Sequence, residues 1–143
     1  MEFCLAIPVR FADIDPAGVV YYPNYFHYCH SVFEEFFGAA HGMSYADWTT
    51  KRRIGFPARH VEGDFEAPIR YGDALTMALH IGRIGRTSVE FLFEARVATA
   101  AGGAPTRVAS FKATKVCVDL ASLTPCVIPA ELRSVFEKYG GRA

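Results

Sequence analysis

The sequence predicts an α+β fold in which a curved, five-stranded antiparallel sheet wraps around one long helix. Three observations predict this fold. Apolar residues recur at three- and four-residue spacing in one early segment, alternate with polar residues in the later segments, and tight Gly- and Pro-containing turns separate those later segments. The long helix must bury its apolar stripe, and an antiparallel sheet has one apolar face to offer it.

The first half of the chain supplies one strand, a loop and two helices. Phe3 to Phe11 favours a strand, and Asp13 to Pro23 favours a loop because it is interrupted by Pro and Gly. The long helix is predicted from Asn24, a suitable cap, to about His41. Ser44 is predicted to cap a second short helix that ends near Arg52. The apolar stripe of the long helix consists of Tyr25, Tyr28, Cys29, Val32, Phe33, Phe36 and Phe37.

The second half supplies four strands and a closing helix. Gly55 to Ile69 is typical of an irregular edge strand, whereas Ala74 to Ile84, Thr87 to Thr99 and Thr106 to Val118 favour long regular strands. A short helix is predicted from Glu131 to Tyr139. The residues predicted to face the helix are Leu75, Met77, Leu79, Ile81, Val89, Phe91, Phe93, Ala95 and Val97. No repeat or linker interrupts this order, so residues 1–143 are predicted to form a single domain.

Composition excludes several classes of protein. The hydrophobic fraction of 51% argues against disorder, and the balance of 15 basic and 15 acidic side chains argues against a nucleic-acid binder. No apolar run reaches the roughly 18 residues that span a bilayer, and no signal peptide precedes the first strand, so we expect a cytoplasmic protein with no membrane partner. The four cysteines are widely spaced without a CxxC pair, which argues against a zinc site.

The most informative segment joins the first strand to the long helix. It places an acid, Asp15, before a Pro-Ala-Gly turn that leads into the helix. Backbone amides at a helix start can hold a developing oxyanion, and a nearby carboxylate can attack a carbonyl carbon or activate water. This combination is suited to the hydrolysis of an acyl bond. Asp13, two residues earlier, is interpreted as a local hydrogen-bond acceptor.

The segment Asp15-Pro16-Ala17-Gly18-Val19-Val20-Tyr21-Tyr22-Pro23-Asn24-Tyr25 resembles the signature of the hotdog-fold acyl-CoA thioesterases. Within these it is most similar to the aspartate-type 4-hydroxybenzoyl-CoA thioesterases. Gly55-Phe56-Pro57 and Tyr71-Gly72-Asp73-Ala74-Leu75 also match the family, and the order of elements agrees from Phe3 to about Tyr139.

The resemblance implies an assembly and two catalytic residues. The family joins two subunits edge to edge through their sheets, pairs dimers into tetramers and places the active site at the subunit interface. By position, Asp15 matches the catalytic carboxylate, and Tyr22 matches the residue whose backbone amide polarises the thioester carbonyl. Asp15 acts either as a nucleophile that forms a mixed anhydride or as a general base on water, and the sequence leaves both open.

Further residues are candidates for binding the acyl group. Tyr21, beside Tyr22, is suited to form a wall for a flat ring. His30 stands where the 4-hydroxybenzoyl enzyme has an acid that accepts the substrate phenol, so benzoyl, substituted benzoyl and phenylacetyl groups stay open. His60 lies on the predicted edge strand near the expected pocket. Each histidine also has an ordinary structural interpretation.

Coenzyme A requires cations and hydroxyls for its phosphates. The turn around Arg86, Thr87 and Ser88 is the preferred candidate, because a glycine turn, one cation and two hydroxyls can all meet phosphate oxygens. Other cations on the late strands and turns are Arg83, Lys112 and Lys115. All of these residues could instead be ordinary solvated charges at strand ends.

We therefore expect an acyl-CoA thioesterase with an aromatic acyl substrate, no metal ion and no cofactor beyond the coenzyme A of the substrate. We expect at least a homodimer, and we expect two such dimers to form a homotetramer. Two alternatives stay open: a thioesterase for aliphatic acyl-CoA or acyl-carrier-protein substrates, and a non-catalytic acyl-CoA-binding protein on the same fold.

Overall fold

A computed structural model describes residues 1–99 and 101–140 of the chain. In chain order the elements are β1 (Phe3–Pro8), α1 (Pro23–His41), α2 (Tyr45–Thr50), β2 (Ile54–Gly55), β3 (Ala58–Phe65), β4 (Ala74–Ile84), β5 (Ser88–Val97), β6 (Thr106–Val116), β7 (Val118–Asp119), β8 (Thr124–Pro125) and α3 (Ala130–Lys138). The main sheet is antiparallel, with the strand order β1-β4-β5-β6-β3, and a small second sheet has the order β2-β7-β8.

The predicted architecture is confirmed: five antiparallel strands and one long helix share the core. The stripe of α1 is buried as predicted, and so are the predicted inward faces of β4 and β5 except for half-buried Val97. Phe33 and Phe36 of the helix meet Phe91 of β5 edge to face, with ring centroids 5.0 and 6.4 Å apart. These edge-to-face contacts favour one relative orientation of the rings, in addition to the stabilisation that comes from burying apolar area. In the described part of the chain, no helix is long and apolar enough to span a bilayer.

The ends of α1 differ in part from the prediction. The helix begins at Pro23, whose fixed φ and missing N–H suit the first position, with Tyr22 as its N-cap. Asn24 is therefore not the cap, and its side chain donates instead to the Asp13 carbonyl at 3.0 Å. The helix ends at His41, and its C-cap Gly42 has a φ of +95°, a conformation that only glycine adopts readily.

Four predicted strands are shorter in the structure, and two of these, β3 and β5, are trimmed at both ends. The first strand of the chain ends at Pro8, and a single 3-10 turn, Phe11–Asp13, follows. The last long strand ends at Val116, after which the chain enters the small second sheet. The Ser44 cap is confirmed, because its hydroxyl accepts from the Asp47 amide at 3.1 Å.

Strand β3 is an edge of the main sheet, as predicted, and pairs with β6 alone among the described strands. Seven of its eight residues are exposed, including Val61 and Phe65. Gly63 lies opposite Phe111, and a Cβ built at Gly63 would lie 2.4 Å from an edge atom of that ring. The missing side chain at Gly63 therefore makes room for Phe111.

Two glycine substitutions test this packing. Gly63→Ala should lower the free energy of unfolding by about 1–3 kcal/mol, because Phe111 must move. Gly38→Ala, in a helix with open space around the position, should raise it by about 0.5–1 kcal/mol. Urea denaturation of both variants measures the two changes. Equal stability of Gly63→Ala and the unmodified protein would contradict the packing argument.

Candidate active site

A short hairpin carries the predicted catalytic acid to the start of α1. The Asp15 amide donates to the Val19 carbonyl and the Tyr21 amide to the Asp13 carbonyl, both at 2.9 Å. The turn between the two arms contains Gly18 at a φ of +81°, which favours glycine. Asp15 and the residue that precedes the helix are thus on the two arms of one hairpin.

Asp15 has one carboxylate oxygen engaged and one available. Its Oδ1 accepts from the Ala17 amide at 2.8 Å, as is common for Asp in turns. Its Oδ2 accepts no hydrogen bond from any residue that the structure describes, and the side chain is half-buried. The turn therefore orients the carboxylate and leaves one oxygen for chemistry.

The helix start has one uncommitted donor. The amides of Tyr21, Asn24 and Tyr25 donate to backbone carbonyls at 2.9, 2.9 and 3.1 Å, and Pro23 has no N–H. Within residues 1–99 and 101–140, the amide of Tyr22 has no acceptor. An N–H at a helix N-terminus carries part of the positive end of the helix dipole, so this amide suits an oxyanion.

Asp13 fixes the hairpin to the helix. Its Oδ2 accepts from the Tyr28 hydroxyl at 2.7 Å and from the Arg10 amide at 3.0 Å. Burial, together with this carboxylate, raises the pKa of Tyr28, so the hydroxyl keeps its proton and donates. The interpretation of Asp13 as a local acceptor agrees with this geometry.

An exposed aromatic surface surrounds the helix start. Tyr21 and Tyr22 are 51% and 61% exposed, and their rings meet edge to face at 5.5 Å. Phe65 on the edge strand lies 6.4 Å from the ring of Tyr22 and 5.1 Å from that of Tyr25. These rings connect the helix start with the end of β3.

Beyond this surface, a cavity of about 250 Å³ lies between α1 and the β3 side of the sheet. Its lining is almost wholly apolar and consists of Phe26, Cys29, His30, Ala58, Val61, Phe93, Phe111, Ala113 and Lys115. Of the residues predicted to bind the acyl group, His30 is the one found in this lining. Its ring packs beside Phe33 at 5.6 Å, and its Nε2 lies 3.3 Å from Glu34.

Lys115 is the functional candidate whose position sequence reasoning missed. It was one of the possible phosphate ligands, but it is 8% exposed and faces the cavity. Its Nζ lies 3.4 Å from the Phe56 carbonyl oxygen and 4.1 Å from the ring centroid of Phe33. Burial lowers the pKa of Lys115 to about 8, so the amine is mainly protonated at pH 7.

His60 and Lys112 lie outside this cavity. The His60 side chain is exposed, 3.8 Å from Glu62. Lys112 forms an ion pair with Glu62 at 3.0 Å and lies 3.9 Å from Glu90. The structure therefore does not bring His60 together with the other predicted binding residues, and it pairs Lys112 with carboxylates.

The Arg86 turn is held at the far end of the sheet from the hairpin. The Thr87 carbonyl accepts from Cys117, and Arg133 of α3 donates to the Gly85 carbonyl at 2.6 Å. Ser88 pairs with the last residue of β6, at the end of the sheet opposite Phe65. Arg86, Thr87 and Ser88 thus lie together but away from Asp15 of the same chain.

Metal-ligating side chains do not converge in the part of the chain that the structure describes: no group of three or more His, Cys, Asp or Glu residues could hold an ion there.

Comparisons with known proteins agree with the fold. A family model described as "Thioesterase-like superfamily" matches residues 9–136. A 1,4-dihydroxy-2-naphthoyl-CoA hydrolase of Nostoc punctiforme is 33% identical over 132 residues, which cover 92% of this chain and 84% of the relative.

Solved structures extend the comparison. A 1,4-dihydroxy-2-naphthoyl-CoA thioesterase from Synechocystis has 25% identity and a TM-score of 0.82, with 95% of this chain and 96% of that one covered. A 4-hydroxybenzoyl-CoA thioesterase from Pseudomonas has 23% identity and a TM-score of 0.84, with 94% and 98% covered, and shows the shared fold. The predicted hotdog fold is confirmed.

The burial of Lys115 has a consequence for stability. The pKa of this amine is about 8 in the folded chain and near 10.5 when it is solvated, so below pH 8 the folded state bears the cost of a buried charge. Lys115→Met should therefore raise the free energy of unfolding at pH 7 by about 1–3 kcal/mol. Between pH 8 and 10.5 the unfolded protein binds more protons at this site, so the unmodified protein gains stability and the difference shrinks.

Urea denaturation at pH 7, 8.5 and 10 measures this difference. Lys51→Met, which removes an exposed lysine from α2, is the matched control and should change stability little at any of these pH values. A Lys115→Met variant that is less stable than the unmodified protein at pH 7 would contradict the argument.

Proposed function

Because the chain belongs to the thioesterase-like superfamily, we propose that it hydrolyses an aromatic acyl-CoA thioester at the hairpin that carries Asp15. The similar proteins named above are CoA thioester hydrolases, and this chain is one as well. One observation carries the assignment of the site. The uncommitted amide of Tyr22 and the available oxygen of Asp15 belong to the two arms of one hairpin at the start of α1.

In the proposed reaction, Oδ2 of Asp15 attacks the thioester carbonyl carbon, and the Tyr22 amide donates to the oxyanion that forms. The carbon–sulfur bond then breaks and coenzyme A leaves as a thiolate, which needs no acid to protonate it. Water hydrolyses the resulting mixed anhydride, releases the carboxylic acid and restores the aspartate. The carboxylate and the amide supply both functions, so the proposal requires neither a metal ion nor a bound cofactor.

The substrate class follows from the cavity and from the relatives. Phe26 and His30 lie one and two turns beyond Tyr22 on the same face of α1, so the cavity extends from the helix start along the helix. Its apolar walls suit a flat ring. The relatives from Nostoc and Synechocystis are named for 1,4-dihydroxy-2-naphthoyl-CoA, which is therefore the first substrate to test.

We also propose a homodimer through β3, with a pairing of dimers into a homotetramer as the fuller assembly. An exposed edge strand with apolar Val61 and Phe65 is a natural site for another strand to pair. Two copies related by a two-fold axis would join their β3 strands antiparallel. The Arg86 turn of one copy would then lie at the same end of the joint sheet as Asp15 of the other, where its cation and hydroxyls could meet the phosphates of coenzyme A.

Asp15→Asn tests the catalytic role, since it keeps the size of the side chain and removes its charge. We expect turnover of 1,4-dihydroxy-2-naphthoyl-CoA to fall at least about a hundredfold in a thiol-release assay. Asp73→Asn is the matched control, because Asp73 also accepts from a turn amide, that of Arg70, at 2.8 Å. Near-normal turnover in Asp15→Asn would reject the proposed site.

Rapid-quench measurements on the unmodified protein distinguish nucleophilic attack from general-base catalysis. A mixed anhydride predicts a burst of free coenzyme A before the acid appears, with an acyl adduct visible in the mass of the acid-quenched protein. Simultaneous release of thiol and acid at every time point, with no adduct, would indicate activated water instead.

The assembly is tested by light scattering at micromolar concentration. We expect at least twice the mass of the chain. Val61→Asp, which would place carboxylates of both copies at the joined edge, should shift the protein toward monomers. A monomeric unmodified protein would rule out the proposed interface.

A further inference from the structure

One face of α1 leads from the proposed oxyanion site to a buried cation. Tyr22, Phe26 and His30 follow one another at four-residue spacing, and the separation of eight positions between the first and the last corresponds to roughly 12 Å along the helix. Phe26 and His30 line the cavity, and Lys115 lines it from β6. An acyl group whose carbonyl lies at the Tyr22 amide therefore extends toward Lys115.

The walls between these two points favour an aromatic ring. Phe111 lies across from Phe26 with ring centroids 5.5 Å apart, and Val61 and Ala113 complete the apolar lining. A flat group that fills this space displaces water from the cavity. A polar group of the cavity wall that loses this water is stabilised by a hydrogen-bond partner on the substrate.

Lys115 is such a polar group. An ammonium has three N–H donors, and the contacts of Nζ are the long one to the Phe56 carbonyl and the one over the Phe33 ring. Among the described residues no carboxylate lies within ion-pair distance of it, and no carboxylate lines the cavity. The other titratable groups of the lining are Cys29 and His30, both on α1.

We propose that Lys115 determines substrate specificity by binding the oxygen of a hydroxyl, neutral or ionised, on the aromatic ring of the acyl group. This inference rests on the proposed function and names the residue that selects within its substrate class. A hydroxylated ring gives the ammonium an acceptor. A ring without the hydroxyl leaves the ammonium with its long contact to the Phe56 carbonyl and its contact over the Phe33 ring, and a site built around a polar contact discriminates against such an analogue.

His30 adds a second polar group to the lining, an imidazole whose Nε2 lies 3.3 Å from Glu34. The lining carries a cation and an imidazole but no acid, so it favours a group that accepts hydrogen bonds or bears negative charge. A ring hydroxyl can do both, since its oxygen accepts and its proton can leave beside an ammonium.

Ring-matched substrate pairs test the proposal. The pairs are 1,4-dihydroxy-2-naphthoyl-CoA with 2-naphthoyl-CoA, and 4-hydroxybenzoyl-CoA with benzoyl-CoA. For at least one pair, the unmodified protein should prefer the hydroxylated thioester by about tenfold or more in kcat/KM. Lys115→Met should lose about tenfold to a hundredfold on that thioester and change little on its partner, so the preference disappears.

Lys112→Met is the matched control, because Lys112 is on the same strand, is paired with Glu62 and does not line the cavity. It should keep the preference. Equal losses on both members of the pair in Lys115→Met would indicate a merely structural role and overturn the proposal. An unchanged preference in that variant would overturn it too.

Binding to Asp15→Asn gives a readout that depends neither on turnover nor on how well a Lys115 variant folds. Calorimetric titration of Asp15→Asn, with Lys115 intact, should show at least about tenfold tighter binding of the hydroxylated thioester. Equal affinities would overturn the role of Lys115 even if hydrolysis is confirmed. Conversely, a clear binding preference in a protein that hydrolyses none of the four thioesters would support Lys115 and reject the proposed function.

Discussion

The position of the site depends on the hydrogen bonds that Asp13 makes to the start of α1. Its carboxylate accepts from the Tyr28 hydroxyl and the Arg10 amide, and its carbonyl accepts from the Tyr21 amide and the Asn24 side chain. These four donors come from the chain before the hairpin, from its second arm and from the helix. A single residue therefore fixes the helix start against the arm that leads to the proposed catalytic carboxylate, and it does so with side-chain and main-chain oxygens together.

The spacing of apolar residues predicted most of the fold, because that spacing determines which side chains of a helix or strand can be buried together. Leu75, Met77 and Leu79 alternate on β4, and each is buried against the helix as the alternation required. Boundaries were predicted less well, since they depend on partners distant in sequence. Asparagine is a residue type that often caps helices. Here the helix already begins at Pro23, and the Asn24 side chain donates to the Asp13 carbonyl instead.

The site was predicted in part, and the reason is visible in β6. The signature around Asp15 is local, so the turn that carries it could be predicted from neighbouring residues alone, although the pairing of its two arms as a hairpin was not predicted. The cavity instead depends on which face of a strand each residue occupies. Phe111 and Ala113 are inward, and strict alternation places Lys115 inward as well. That signal was present in the sequence, but a lysine near a strand end suggested a surface charge. His60 lies outside the cavity because a register shift between Ala58 and His60 changes which residues of β3 face inward. No local sequence pattern predicts this shift.

The exposed edge of β3 also affects how the chain avoids aggregation while it folds. An exposed strand edge can recruit any extended peptide, above all while the chain is still folding. The strand carries Arg59, Glu62 and Asp64 among its apolar residues. A strand from another protein would have to pair with these charges, which makes most such pairings unfavourable. Such side chains act as gatekeepers against aggregation.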